Sequence, residues 1–144
     1  MEQTSDNNSS LLNAAVKNLL GLLTAHTVPL EPPGELADVE GYPQLYTTLL
    51  EVRTAIMEFA SGNLDYHVTK KGYLPGSVKA LQASLHHLTW QTKMIASGDF
   101  TQRVDFMGDF SDSFNSMVTQ LDESMQKLEL LAHTDPLTGL SNRG

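Results

Sequence analysis

Apolar positions along this chain recur at helical spacing almost throughout. Residues 11–27, LLNAAVKNLLGLLTAHT, place Leu12, Ala15, Val16, Leu19, Leu20 and Leu23 on one side of a short amphipathic helix, with Gly21 as a weak point inside it. Before it, MEQTSDNNSS is polar and acidic, so 1–10 is expected to be a disordered lead. After it, Pro29, Pro32, Pro33 and Pro43 surround Gly34 and Gly41, which predicts a loop or linker over 28–42. Val78, Leu81, Leu85, Leu88, Thr92 and Ile95 then step by 3, 4, 3, 4 and 3, the seam of a coiled coil on a helix spanning 77–96. A second stripe, Ala80, Ala83, His87, Trp90 and Met94, gives this helix two faces to pack, which predicts a bundle shared between two chains. The last helix is expected to start near Ser111 and carries Phe110, Phe114, Met117, Leu121, Met125, Leu128 and Ala132. Its consecutive steps of four around Leu121 form a stutter, which locally unwinds a supercoil.

The pattern also repeats. FASGNLDYHV (59–68) aligns with IASGDFTQRV (95–104) at an offset of 36 residues, the distance from Gly62 to Gly98. The same offset relates Val68 to Val104, Gly72 to Gly108, Val78 to Phe114 and Leu81 to Met117. A repeat of this kind is a supersecondary unit used twice: helix, a connector opened by Ser-Gly, then helix. Gly62 and Gly98 are expected to end helices, and Gly72 and Gly108 to close the connectors.

Composition narrows the chemistry. The 144 residues hold no Cys, which excludes a disulfide scaffold and Cys-based zinc or iron–sulfur sites. Nine basic residues against seventeen acidic ones leave a net charge of −8, which disfavours nucleic acid and anionic lipid as partners. The longest apolar run, Leu19–Leu23, falls far short of the roughly 20 residues that span a bilayer, and the N-terminus lacks a basic signal region, so a cytoplasmic location is expected. His86, His87 and Trp90 evoke metal or haem ligation, but only His87 and Trp90 share a stripe and no third ligand follows, so packing or surface roles are expected. His133 lacks the acidic neighbour and correctly spaced Pro of a kinase phospho-acceptor box. The carboxylates Asp109, Asp112, Asp122, Glu123 and Glu129 read as a solvated face and helix-end electrostatics.

Two family resemblances follow from particular strings. Residues 91–125 resemble the second half of a HAMP domain, the dimeric parallel four-helix relay of bacterial sensors. Gly98-Asp99 matches the start of its connector, Gly108 the glycine of its DExG motif, and Phe114-Asn115 with Met117 its Phe-Asn-x-Met. Phe106 stands where that motif has Glu, and the first unit departs further, with Thr69-Lys70-Lys71-Gly72 at the same place. DPLTGLSNR, Asp135 to Arg143, resembles the opening of a GGDEF domain, the diguanylate cyclase module. That resemblance implies that Asn142 would bind the guanine of GTP in a longer protein, with GTP and Mg²⁺ as the missing cyclase's requirements and no cofactor in this chain.

Together these imply an all-α, elongated, parallel homodimer. HAMP-like unit 1 spans 43–90 and unit 2 spans 77–125, with 77–96 shared; a signalling helix at 121–134 leads into a truncated GGDEF start at 135–144. The expected dimer core is Val78, Leu81, Leu85, Leu88, Ile95, Phe110, Phe114, Met117, Leu121, Met125 and Leu128. No catalytic residue or metal site is expected. The implied function is dimerisation and signal relay to a C-terminal diguanylate cyclase. The alternatives are a helical sensor, with a small-molecule pocket between the N-terminal and shared helices, or a passive dimerisation scaffold.

Overall fold

The computed structural model describes residues 1–133, and among these it is all-helical, without a strand. Five helices follow one another: α1 (Glu2–Thr24), a single-turn α2 (Gly34–Ala37), α3 (Tyr42–Ala60), α4 (Tyr73–Ala96) and α5 (Asp109–His133). The chain divides into two compact units, Met1–Ala83 and Ser84–Gly144, with α4 contributing to both. The GGDEF-like string, Asn142 included, lies outside the described residues.

In the first unit α1 and α3 run in the same direction. The Tyr42 hydroxyl, at the start of α3, reaches Asn18 and the Ala15 carbonyl. Further along α3, Arg53 donates to the carbonyls of Leu22, Ala25 and His26 at 2.7, 2.7 and 2.8 Å. A guanidinium there satisfies acceptors that the last turn of α1 leaves open and sits at the negative end of its dipole. The segment between the helices is more than a linker. It folds back so that Leu36, on α2, is buried with Leu22, Tyr42 and Tyr46, while the Tyr46 hydroxyl donates to Pro29 O at 2.6 Å. A second cluster in the same unit joins Val52 and Ala55 of α3 to Val68 of the connector and Val78 of α4.

The polar lead differs from its expected disorder: α1 begins at Glu2, although every residue from 1 to 10 is exposed. Once Leu11–Leu22 is packed, the helix extends outward at one hydrogen bond per added residue, without a second nucleation cost. No side chain caps this end. At its other end α1 stops at Thr24, where Ala25 turns extended ahead of Pro29.

The 36-residue repeat is present bond by bond. At the end of α3, Gly62 N–H donates to Phe59 O and Asn63 N–H to Glu58 O; at the end of α4, Gly98 N–H donates to Ile95 O and Asp99 N–H to Met94 O. These are the paired closing bonds of a Schellman motif, and they require a left-handed residue, supplied by Gly62 (φ 93) and Gly98 (φ 101). Ser61 Oγ and Ser97 Oγ each donate three residues back, to Glu58 O and Met94 O. Asn63 and Asp99 then turn the chain by accepting from the N–H two residues on, both at 3.1 Å. Val68 and Val104, at 1% and 2% exposure, anchor the middle of each connector. Gly72 and Gly108, again at positive φ, accept from the fourth N–H of the helix that follows.

Candidate functional site

Each connector is pinned to its helices by polar side chains, and the two pins differ chemically. In the first connector the Glu51 carboxylate of α3 accepts from the Thr69 N–H (2.6 Å), the Thr69 hydroxyl (2.7 Å) and the Lys70 N–H (2.7 Å). Burial pushes the Glu51 carboxyl up, but these bonds and the Lys70 charge outweigh it and hold the group below the usual carboxylate range. Gln82 of α4 completes the pin by donating to Leu64 O and Tyr66 O at 2.6 and 2.8 Å. In the second connector the half-buried Asn115 of α5 makes both bonds to one residue: it accepts from Val104 N–H at 2.8 Å and donates to Val104 O at 2.7 Å. Gln91 of α4 donates to Arg103 O at 2.6 Å, and its Oε1 is buried without a partner among the described residues. Where connector 2 begins, the Thr101 hydroxyl, the Gln102 amide and the Thr101 N–H hold the exposed Asp99 carboxyl low.

These pins place α4 and α5 relative to the connectors. Val78 packs against Val52 and Ala55, while Gln82, one turn on, reaches the residues just past the end of α3. Hence α4 runs in the same direction as α3. Gln91 and Asn115 hold adjacent connector residues, Arg103 and Val104, so α4 and α5 lie side by side in the second unit. Ser111, buried at the first turn of α5, accepts from Met107 N–H at 2.8 Å and sets where that helix begins.

The expected core residues separate into two groups. Val78 and Ile95 are buried, and Leu85, Leu88 and Phe114 are half-buried. Leu81, Phe110, Met117, Leu121, Met125 and Leu128 stand exposed on the single chain, between 41% and 60%. Phe110 and Phe114 stack with ring centres 5.8 Å apart. The second stripe of α4 is not a packing face: Ala80, Ala83, His87 and Trp90 are exposed, with the His87 and Trp90 rings stacked on each other at 5.8 Å. Beyond its seam, α4 uses Gln82 to hold the first connector and Gln91 to hold the second, two positions about 180° apart round the helix. Asn115, in the Phe-Asn-x-Met string, carried the available signal. Glu51 had no such marker.

The groove beside α1, of about 380 Å³, is lined by Ala14, Lys17 and Gly21, the segment after α1, and Tyr46 of α3, without α4. Among the described residues no cluster of His, Asp or Glu could hold a metal ion. None of their helices is long and apolar enough to cross a membrane.

The helix–connector–helix arrangement has a counterpart among known families. No curated protein and no solved structure matches the chain. Residues 77–123, from the first turns of α4 through the pinned connector to the middle of α5, match the family model of the HAMP domain, and this stretch is a HAMP-like signal-relay region.

Proposed function

We propose that residues 43–125 are two tandem HAMP-like units of a parallel homodimer that relays a conformational signal along α5 to a C-terminal diguanylate cyclase. The observation that carries this reading is the repeat. The hydrogen bonds that shape the matched connector recur 36 residues upstream, at Ser61, Gly62, Asn63 and Gly72, outside the stretch that the family model covers. HAMP domains typically dimerise and are not catalytic, so output has to come from an attached domain. The Asp135–Arg143 string, similar to a GGDEF opening, supports a cyclase in that role, with Asn142 as its guanine contact and GTP and Mg²⁺ as its requirements. Joining two GTP molecules needs two cyclase domains face to face, so the register and splay of a paired α5 rod would set how often they meet.

The exposed apolar seam supports the dimer. Leu81 on α4 and Phe110, Met117, Leu121, Met125 and Leu128 on α5 are left in water on one chain, the α5 residues at heptad spacing broken by the stutter. Each contributes roughly 1 kcal/mol or more when fully covered. Light scattering at micromolar concentration should give a dimer. Leu85→Asp should give a monomer or unfold the second unit, because a carboxylate would be buried on the seam unpaired. A wild-type chain that is monomeric throughout this range would overturn the reading.

A further inference from the structure

We infer that α1, the segment after it and the first half of α3 form a third dimerising unit of the same kind, whose exposed face is covered by a second copy of this chain. The inference rests on the parallel-dimer reading and extends it to a region outside the HAMP match. Three observations within the first unit support it. First, α1 and α3 are parallel neighbours joined by a segment that folds back between them, where a simple α-hairpin would make them antiparallel. Second, that segment ends as the two connectors end. Leu36 is buried at 1% exposure, and Gly41 at φ 81 opens α3 and accepts from Leu45 N–H, as Gly72 does from Gly76 and Gly108 from Asp112.

Third, the apolar faces are related in the same way. On α1 the residues turned to α3 include Leu11, Ala15, Asn18 and Leu22, while Leu12, Val16, Leu19 and Leu23 step by 4, 3 and 4 as a second seam, of which Leu19 also packs on the α1–α3 cluster. Val16 is 58% exposed and Leu23 is 74% exposed. At 100° per residue this seam lies about 100° round from the contact face. On α3 the face toward α1 holds Tyr42, Tyr46 and Arg53, and the seam Leu45, Leu49, Val52 and Ile56 lies about 70° round in the opposite sense; Leu45 and Ile56 are exposed on it, while Leu49 also packs on the α1–α3 cluster and Val52 is buried against Val68 and Val78. Because the helices are parallel, opposite senses put both seams on one common side. In the second unit the α4 seam lies about 90° round from Gln91 and the α5 seam about 125° round from Asn115 in the opposite sense, the same pair of signs. Two parallel helices with heptad seams on one side form half of a parallel four-helix bundle. The α1 seam carries no charge, so it does not draw a charged partner. It also keeps the net negative charge of the two copies away from their contact.

The absence of cysteine allows a direct test on the whole chain. Single variants Val16→Cys, Leu23→Cys and, about 130° round from the seam, Lys17→Cys are oxidised and scored for covalent dimer, with Leu121→Cys as the reference on α5. A disulfide forms only where the Cβ atoms of two copies approach within roughly 4.5 Å. The expected result is that positions 16 and 23 cross-link at least about five-fold faster than position 17. If position 121 cross-links but 16 and 23 behave like 17, the dimer stands and the third unit is refuted. If no position cross-links and the chain sediments as a monomer, both fall together.

Discussion

Asn115 offers the sharpest test of how the second connector is held. Its amide satisfies both polar groups of Val104, at 2.8 and 2.7 Å, beside a valine side chain that is almost fully buried. Asn115→Ala removes two hydrogen bonds at about 1 kcal/mol each, so about 2 kcal/mol, and more if water cannot reach the orphaned N–H and C=O. The loss is local, because the helix bonds of α4 and α5 do not depend on it. Amide hydrogen exchange is therefore the appropriate assay, read at Val104 and its neighbours. About 2 kcal/mol corresponds to about thirty-fold faster exchange at Val104, with helix interiors changed far less. Asn115→Asp discriminates further. An ionised carboxylate still accepts from Val104 N–H but presents negative charge to its carbonyl, so protection should be lost at neutral pH and partly return in acid, where a protonated acid donates again. If Asn115→Ala leaves Val104 exchange within about two-fold of the parent, the connector is held by apolar packing alone and the clamp argument is wrong.

The pin of the first connector should respond to acid, whereas the Asn115 amide that pins the second does not titrate. Glu51 has a lowered pKa in the folded chain, so its contribution is full above the unfolded carboxylate value and is lost as pH falls through the lower folded one; NMR shifts of the Thr69 and Lys70 amides should move in that window, and Glu51→Gln should abolish the transition. Gly98→Ala should destabilise by about 1 kcal/mol from its positive φ alone, since the added Cβ meets nothing, whereas Gly21→Ala inside α1 should stabilise by about 0.5–1 kcal/mol; thermal unfolding of the pair checks both signs. In a protein carrying the cyclase, deleting Asp122 to Met125 removes the stutter and turns the downstream helix by a net of about 40°. Cyclase activity should then be locked high or low, and a variant that still responds to its input would leave α5 as a tether. Residues 1–144 alone, given GTP and Mg²⁺, should yield no cyclic dinucleotide by chromatography.

Helices and their repetition were legible from the chain because both are written in local periodicity. The 3-and-4 spacing from Val78 to Ile95 and the 36-residue echo of Ser-Gly, Val and Gly need no tertiary information, and α4 spans Tyr73–Ala96 much as that spacing implies. The glycines that end and begin the helices were legible for a related reason: a positive φ is a property of a single residue. What depended on tertiary structure was direction and pinning. No local pattern states that 25–41 folds back to lay α3 parallel to α1. That outcome depends on Leu36 burying itself between Leu22 and Tyr46, and on Arg53 meeting the end of α1. Glu51, Gln82 and Gln91 look like ordinary solvated helix residues until the connector backbone arrives beside them, since the groups they satisfy lie 12 to 19 residues away. Side-chain partners at that range are set by the folded path of the chain, whereas a helix is set by neighbours within four residues.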